Sequence, residues 1–524
     1  MDEPVLARLT RRRFLAFLGL AAAGGAAAAL AATDLAKTAG PAQSTASAAP
    51  LTAFAGSPPP GSPLPSGSPA PSPDYSAFRS HYRSRPDLTP PQVLVQVPAG
   101  AVAPGLLFYT PSDGGGKDGP AIFTNDGDLV WLRPDSGTQV ANFHVVDLAG
   151  QRTLAWWEGT INGGIGTGDV VLADSAYREI SRVHAGNGRR ADLHEFQLTS
   201  QGTALLLADA GVAATGAPGG TGLAGQVMDC AVQEIDLQTG AVRFEWHTIT
   251  EIAIDESFVD PPADPTTSIY DYVHANSIEV DHDGTLLVSA RNTSTVYKID
   301  RTTGSIVWRL GGKRTDFTMG PGATFSWQHD ARRQADGTLT IFDDGASPGH
   351  SRAIVLRLDE QAMTATLVRA FEHPAPLLAR SQGNMQILPG GNVLVGWGDA
   401  GYVTEFSSTG EVVFDATYPA AGQSYRNYRA AWTGSPRELP AAAAVVGPGG
   451  AVTAFASWNG ATEVATWDVL AGPTAGALKL AGSVPRSGFE TSIPVKGPAQ
   501  WVQVVARGAR GAVLGASPIV NASA

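Results

Sequence analysis

The feature that most constrains the fold is an imperfect internal repeat between about Gly105 and Pro419. Each copy has a turn and a short apolar strand, then a second strand that ends in a hairpin before a third. The clearest copies are SQGTALLLAD at Ser200, HDGTLLVSAR at His282, ADGTLTIFDDG at Ala335 and GGNVLVGWG at Gly390. Two weaker copies, FHVVDLAGQRTLAWWEG and PGLLFYTP, precede them. Because repeats of about four strands form propeller blades, six copies predict a six-bladed β-propeller over residues 74–436.

The composition agrees with an all-β chain, because 61 glycines and 37 prolines separate apolar runs that are too short for helices. A stacked sandwich of the same strands is the alternative, although a sandwich does not require a repeat of this length. After Pro440 the pattern changes, and Ala451–Gly472 and Trp501–Val520 alternate apolar and polar residues. This region, residues 440–524, predicts a small accessory β-sandwich that resembles a fibronectin type III module.

The first 32 residues have the parts of an export signal, with the basic segment TRRRFL at Thr10 followed by a Leu/Ala/Gly run. This resembles a twin-arginine signal and predicts a secreted or cell-surface protein, with an uncleaved membrane anchor as the alternative. The mature form then has no membrane span unless the signal is retained. Residues 33–73 are rich in Pro, Ser and Ala and predict a disordered linker. The single cysteine, Cys230, excludes an intrachain disulfide.

The charge and the loop motifs exclude several classes of function. A net charge of −12 and a pI near 5.3 argue against nucleic-acid binding, which requires a basic surface. The glycine-rich run at 220–225 has no βαβ context, and the segment at 311–314 lacks a phosphate-loop pattern. The paired acids Asp343 and Asp344 fit solvated turns better than a calcium site. We therefore predict neither a cofactor nor a metal ion.

Three copies of the repeat carry a histidine at nearly the same position. His329 and His194 each lie eight residues before the turn glycine of their copy, and His274 lies ten residues before its own. His144 is a fourth candidate, less well in register. Because the first strand of each propeller blade lines the central channel, we expect these imidazoles to converge near one mouth.

Two neighbouring side chains extend this predicted site. Asn276 lies two residues after His274 and shares its strand face if the alternation of a β-strand holds there. Arg291 follows on the next strand of the same copy. Imidazoles, an amide and a guanidinium together suit an anion with several equivalent oxygens, such as sulfate or phosphate. Tyr270, Tyr272 and Trp327 are candidates for walls around an aryl ring, although packing is the simpler role for all three.

Several segments resemble the bacterial arylsulfate sulfotransferase family, in a broad, actinobacterial-looking branch. They are SRPDLTPP at Ser84, ADLHEF at Ala191, DYVHANSIEVD at Asp271, GSIVWRLGG, FSWQHDA and GNMQILPGGNVLVGWG at Gly383. The resemblance covers most of the chain between about residues 80 and 435. It implies a six-bladed propeller that moves a sulfuryl group from an aryl sulfate to a phenol through a sulfohistidine, without a nucleotide donor or a metal.

The same resemblance implies roles for individual residues. His329 is then the nucleophile, His274, Asn276 and Arg291 hold the sulfuryl oxygens, and His194 assists proton transfer or binding. Two alternatives stay open from the residues alone: a non-catalytic propeller that binds an anionic or glycan ligand, and a hydrolase or redox propeller with a bound cofactor. The sequence does not indicate an oligomeric state.

Overall fold

A computed structural model describes residues 79–111, 119–133, 137–220, 223, 225–264, 268–345, 349–418, 422–497 and 499–523. The predicted signal and linker at 1–32 and 33–73 lie outside the described residues. Within these ranges the prediction of an all-β chain is confirmed, since the α-helix Thr248–Glu251 is a single turn. The 3₁₀ turns are Ala214–Gly216, Ile254–Glu256, Gly398–Ala400 and Pro448–Gly450. No helix in the described part of the chain has the length and apolarity needed to cross a membrane.

The described strands follow one another with short connections. In chain order they are β1 (Leu94–Val97), β2 (Leu106–Tyr109), β3 (Ala121–Phe123), β4 (Leu129–Leu132), β5 (Gln139–Leu148), β6 (Gln151–Asn162), β7 (Ile165–Ala173), β8 (Glu179–Val183), β9 (Phe196–Leu198), β10 (Thr203–Ala213), β11 (Gln226–Asp236), β12 (Val242–His247), β13 (Ile269–Tyr270), β14 (Ala275–Val280), β15 (Leu286–Ala290), β16 (Thr295–Ile299), β17 (Ile306–Gly311), β18 (Thr318–Met319), β19 (His329–Arg333), β20 (Leu339–Asp343), β21 (Arg352–Asp359), β22 (Thr364–Phe371), β23 (Asn384–Ile387), β24 (Val393–Gly396), β25 (Tyr402–Phe406), β26 (Val412–Thr417), β27 (Asn427–Ala430), β28 (Ala441–Val446), β29 (Val452–Ser457), β30 (Val464–Gly472), β31 (Lys479–Pro485), β32 (Glu490–Val495), β33 (Trp501–Gly508), β34 (Val513–Ala516) and β35 (Val520–Asn521).

Strands β1 to β27 form six separate sheets, each built on an antiparallel meander of consecutive strands. We number them by position along the chain: sheet 1 (β27-β2-β3-β4), sheet 2 (β5-β6-β7-β8), sheet 3 (β9-β10-β11-β12, with β13), sheet 4 (β14-β15-β16-β17), sheet 5 (β19-β20-β21-β22, with β18) and sheet 6 (β23-β24-β25-β26, with β1). The repeat in the sequence therefore corresponds to the sheets, because each copy supplies the strands of one meander.

Strands from the two ends of this region complete the first and last sheets. β27 pairs with β2 in sheet 1, where Ala430 lies opposite Leu106, and β1 pairs with β26 in sheet 6, where Leu94 lies opposite Thr417. Contacts between neighbouring sheets run from β5 to β9, β10 to β14, β14 to β19, β19 to β23, β23 to β27 and β27 back to β5. These contacts link the six sheets in a cycle.

Apolar side chains fill the spaces between neighbouring sheets. Leu205 and Cys230 of sheet 3 pack with Val288 and Tyr297 of sheet 4 in one continuous core. The other face of sheet 4 presents Leu287 to a second core shared with sheet 5. Both faces of these strands are buried, which explains why β15 begins with the consecutive apolar residues Leu286, Leu287 and Val288 and does not alternate.

The C-terminal region has two further sheets, β28-β29-β32 and β31-β30-β33-β34, with β35 paired to β33. Their shared core includes Ala454, Trp467 and Val504. This region contacts sheet 1 directly, because the Asn459 side chain bonds both the backbone N–H and the carbonyl of Leu132, at 3.0 and 2.9 Å.

A buried network of charged side chains joins several sheets near their inner strands. Glu195, just before β9, accepts hydrogen bonds from Arg332 of β19 at 2.5 Å and from Arg426, just before β27, at 3.3 Å. Asp330 of β19 lies 2.8 Å from Arg332 and accepts the backbone N–H of Met385 in β23 at 3.1 Å. These contacts fix the inner strands of sheets 3, 5 and 6 and the closing strand of sheet 1 relative to one another.

Removing the central carboxylate of this network is expected to destabilise the fold strongly. Glu195→Ala leaves the buried Arg332 and Arg426 with Asp330 as their remaining shared carboxylate, and breaking a buried ion pair typically costs about 3–5 kcal/mol of unfolding free energy. Glu179→Ala is the control, because Glu179 forms an exposed pair with Arg182 and such pairs contribute about 1 kcal/mol or less. Urea unfolding measures both variants, and similar unfolding free energies for the two would contradict the structural role of the network.

Candidate functional site

A cavity of about 370 Å³ lies where the first residues of the inner strands meet. Segments from all six sheets contribute to its wall. The lining residues are Thr110, Gln139, Val140, Ala141, Ile161, Gly163, Gly164, Leu193, His194, His274, Arg291, His329, Ser381, Gln382, Gln423 and Tyr425. The three predicted histidines and the predicted arginine are thus brought together in one cavity.

The three histidines occupy equivalent places in sheets 3, 4 and 5. His194 lies two residues before β9, His274 lies one residue before β14, and His329 is the first residue of β19. The ring centroids of His194 and His274 are 4.8 Å apart. The ring of Tyr425 packs edge-on against His194 at 5.3 Å and against His329 at 6.3 Å.

The backbone around the cavity is irregular. His274, Asp330 and Gln382 have φ values of 54°, 56° and 72°, in the left-handed region that residues other than glycine rarely adopt. The register between β14 and β15 shifts after Ala275, and the register between β19 and β20 shifts after His329. Bulges of this kind redirect side chains at the end of a strand and are common next to functional sites.

A carboxylate contacts the Nδ1 atom of each histidine. The pairs are His194 with Asp192 at 2.5 Å, His274 with Asp271 at 2.5 Å and His329 with Asp344 at 2.7 Å. For His329 the second ring nitrogen is also defined, because the backbone N–H of Gln382 donates to Nε2 at 3.3 Å. Nε2 must therefore carry a lone pair, and the ring proton lies on Nδ1, where it donates to Asp344.

Burial favours the neutral form of His329. The side chain is almost fully buried, and this burial, together with the nearby Arg291, lowers the pKa of His329 well below its ordinary value. A neutral imidazole is the nucleophilic form of histidine, and in His329 the attacking lone pair is the one on Nε2 that accepts the long hydrogen bond from Gln382. His329 therefore has the protonation state that a histidine nucleophile requires.

Arg291 is held by three contacts, which leave one of its three nitrogens without a hydrogen-bond partner among the described residues. Its two terminal nitrogens donate to Asn292 Oδ1 at 3.1 Å and to the carbonyl of Arg380 at 2.9 Å. The guanidinium carbon lies 4.9 Å from the ring centroid of Trp327. Its Nε is buried and has no hydrogen-bond partner among the described residues. A cation with an unused donor at the wall of a cavity suits an anionic ligand.

Asn276 is not one of the residues that line the cavity. It is fully buried, and its Nδ2 donates to the carbonyl of Gln328 at 2.7 Å. The alternation argument fails here because His274 lies outside β14 and has a left-handed backbone, so the period of two does not extend back to it. Asn276 instead contacts the backbone immediately before His329.

Other residues considered from the sequence lie outside the cavity wall. Tyr272 is buried and donates to the carbonyl of Ile252 at 3.1 Å. His144 packs against Tyr428, with ring centroids 4.9 Å apart, and its burial lowers its pKa to about 4. Trp327 does not line the cavity, but its ring packs against Arg291, which does.

The expectation that Asp343 and Asp344 are solvated turn acids is wrong. Both are buried, since Asp343 bonds the Arg352 guanidinium at 2.9 Å and Asp344 bonds His329. Burial raises the pKa of Asp344 well above its ordinary value, although Arg291 opposes this effect. Among the described residues, no cluster of three or more His, Cys, Asp or Glu side chains is arranged to hold a metal ion.

Some of the cavity residues have no recognisable signal in the sequence. Tyr425 and Gln423 precede the closing strand β27, whose pairing with β2 joins residues about 320 positions apart. No repeat or local pattern marks such a segment. Gly163 and Gly164 line the cavity from the turn between β6 and β7. The sequence of this turn is that of an ordinary hairpin and does not indicate a site.

Comparison with known proteins gives a family. A family model described as arylsulfotransferase (ASST) matches residues 144–419, which is more than half of the chain, and it does not distinguish branches of that family. No curated protein matches the chain.

Solved structures that are similar to this chain share little sequence with it. One is a protein of unknown function from Bacteroides caccae, with 14% identity over 62% of this chain and 98% of that one, and a TM-score of 0.40. Another is the Pseudomonas aeruginosa periplasmic gluconolactonase, with 15% identity over 75% and 99% and a TM-score of 0.35. At these identities and TM-scores, the likenesses carry no information about activity.

Proposed function

Because the chain belongs to the arylsulfotransferase family, we propose that it transfers a sulfuryl group from an aryl sulfate to a phenolic acceptor through a covalent intermediate on His329. The observation that carries this proposal is the state of His329. Its Nδ1–H donates to Asp344, so the lone pair is on Nε2. The ring lines the same cavity as Arg291.

The reaction divides into two displacements at sulfur. In the first, the Nε2 lone pair of His329 forms an N–S bond while the S–O bond to the aryl group breaks, and the electron pair leaves on the phenolate oxygen. In the second, the acceptor hydroxyl attacks the same sulfur and the N–S bond breaks. Dividing one difficult exchange into two steps is the usual benefit of a covalent intermediate.

His194 is the acid and base that we propose for the phenolic oxygens. It protonates the departing phenolate and later removes the proton of the incoming phenol. Asp192 supports this role, because it lies 2.5 Å from Nδ1 and also accepts the backbone N–H of His194 at 2.9 Å. A carboxylate in this place fixes the orientation of the ring.

His274 and Arg291 hold the sulfuryl oxygens in this proposal. The unused Nε of Arg291 supplies a fixed donor, and the ring of His274 lies against His194 at the same wall. Fixed donors lower the barrier because charge on the transferring group is stabilised without reorganisation of water. Asn276 has a positioning role, through the hydrogen bond from its amide to the carbonyl of Gln328.

We propose that the six sheets are the blades of a six-bladed propeller over residues 74–436, and that residues 440–524 form an accessory sandwich like a fibronectin type III module. The cycle of sheet contacts and the closing strands β1 and β27 support the propeller. Two facing sheets around one core support the sandwich. Export through the signal at 1–32 is also a proposal, and detection of the protein outside the cytoplasm of its host tests it.

A transfer assay tests the proposed activity. The protein is incubated with an aryl sulfate such as 4-nitrophenyl sulfate, with and without an excess of a second phenol. We expect steady release of 4-nitrophenol that depends on the acceptor, and formation of the sulfated acceptor. Tight binding of sulfate without any release would instead support a propeller that only binds an anionic or glycan ligand.

A further inference from the structure

The strongest unexplained group beside the cavity is the carboxylate of Asp344. It is fully buried, it does not line the cavity, and its contact to His329 joins the end of β20 to the start of β19. Its Oδ1 is buried without a hydrogen-bond partner among the described residues. Oδ2 therefore accepts a hydrogen bond from the imidazole, whereas Oδ1 accepts none from the described residues. A buried oxygen without a hydrogen bond destabilises an ionised carboxylate.

Asp344 differs in this respect from the carboxylate behind His194. Asp192 accepts backbone N–H groups from Gly166 at 2.6 Å and from His194 at 2.9 Å, besides the ring. These contacts and the charge of His194 outweigh burial and lower the pKa of Asp192. Asp192 is thus built to stay ionised, whereas Asp344 lacks comparable donors and its burial raises its pKa.

We propose that Asp344 receives the Nδ1 proton of His329 when the N–S bond forms at Nε2, and returns that proton when the sulfuryl group leaves. This inference rests on the proposed function. The step is balanced, since the Nε2 lone pair forms the N–S bond, the aryl oxygen leaves with its own electron pair, and one proton moves from Nδ1 to Oδ2 of Asp344. No other reactant is required.

The chemistry of the ring gives the reason for this transfer. A bond at Nε2 makes the imidazole cationic, so the proton on Nδ1 becomes much more acidic, and its acceptor lies 2.7 Å away. Loss of that proton leaves a neutral imidazole ring that still bears the anionic sulfuryl group. In this form the ring is a poorer leaving group, and the adduct is more resistant to water. The intermediate is then protected until an acceptor is bound, and return of the proton restores the better leaving group.

The charged groups around the pair are compatible with one mobile proton. Arg291 and Arg426 lower the pKa of His329, and Arg291 also opposes the rise in the pKa of Asp344. The anions Asp343 and Asp399 act in the other direction, because both raise the pKa of Asp344. His194 and His274 lie on the cavity side of the ring and further lower the pKa of His329.

Asp344→Asn tests the proposal, because asparagine keeps an oxygen for the Nδ1–H but cannot take the proton. Two quantities are measured: the burst of 4-nitrophenol from 4-nitrophenyl sulfate without acceptor, and the lifetime of the sulfuryl adduct by mass spectrometry. We expect a burst rate about tenfold or more lower and an adduct lifetime that is several-fold shorter. The control Asp281→Asn removes another buried carboxylate, one that pairs with Arg333 and not with a cavity histidine, and it should leave the lifetime unchanged.

A second measurement on the unaltered protein does not depend on the variant folding. In protein labelled with ¹⁵N-histidine, Nδ1 of His329 should be protonated at rest and unprotonated in the sulfurylated enzyme. An adduct that keeps its Nδ1 proton, or an Asp344→Asn adduct that lives as long as the original, would overturn this inference alone. If the original protein gives neither burst nor adduct, the proposed function itself fails.

Discussion

Replacement of His329 with alanine or glutamine is expected to lower kcat/KM for sulfuryl transfer by about 10³-fold or more. No other ring can take its place, because His194 and His274 are each fixed to their own carboxylate and belong to other sheets. The glutamine variant is the more informative one. Its amide can still donate towards Asp344, so the buried carboxylate keeps a partner and the fold is preserved.

His144→Gln is the matched control for this prediction. His144 is a histidine on the first strand of sheet 2, but its ring packs on Tyr428 and does not line the cavity. Its replacement should leave the burst of phenol release intact. If the His329 variants kept more than a few per cent of the original rate, or if His144→Gln were equally inactive, His329 would lose its proposed role as nucleophile.

Replacement of Arg291 with methionine should lower the rate of the first half-reaction by about 10²–10³-fold, as is typical when a fixed donor to a developing oxyanion is removed. Lysine should rescue little of this loss. A lysine cannot bond Asn292 and the Arg380 carbonyl together while stacking on Trp327. Stopped-flow measurement of the burst, with acceptor omitted, gives the rate directly.

The same variant should also change the pH dependence. Arg291 lowers the pKa of His329, so its removal raises that pKa and moves the acid limb of the burst rate to higher pH. Arg380→Met is the control, because the Arg380 side chain is exposed while its carbonyl, which holds Arg291, is unaffected. An acid limb that stays in place in Arg291→Met, or an equal loss of rate in Arg380→Met, would contradict the role of Arg291.

The convergence of the three histidines could be predicted from the repeat. Each histidine lies at a similar distance from the turn glycine of its copy, and the inner strand between them sets that distance. His194, His274 and His329 precede or begin the inner strand of their sheets, and inner strands of similar length place their first residues at one end. Asn276 shows where this reasoning stops. A left-handed residue at His274 and a bulge after Ala275 interrupt the alternation, and neither is visible in a pattern of apolar and polar residues.

The remaining parts of the site depend on tertiary structure that the local pattern does not encode. Asp344 has the sequence context of a turn acid, and only the packing of β20 against β19 buries it behind His329. Tyr425 enters the cavity because β27 returns to pair with β2. That pairing joins the two ends of the repeat region, so no single copy of the repeat contains it.

Mass spectrometry of the protein after reaction with an aryl sulfate alone is the most direct test of the account. We expect one sulfuryl group per chain, on the proteolytic peptide that contains His329, and we expect that it disappears when a phenol is added. Turnover without any adduct, or an adduct on a peptide that lacks His329, would contradict the proposed intermediate.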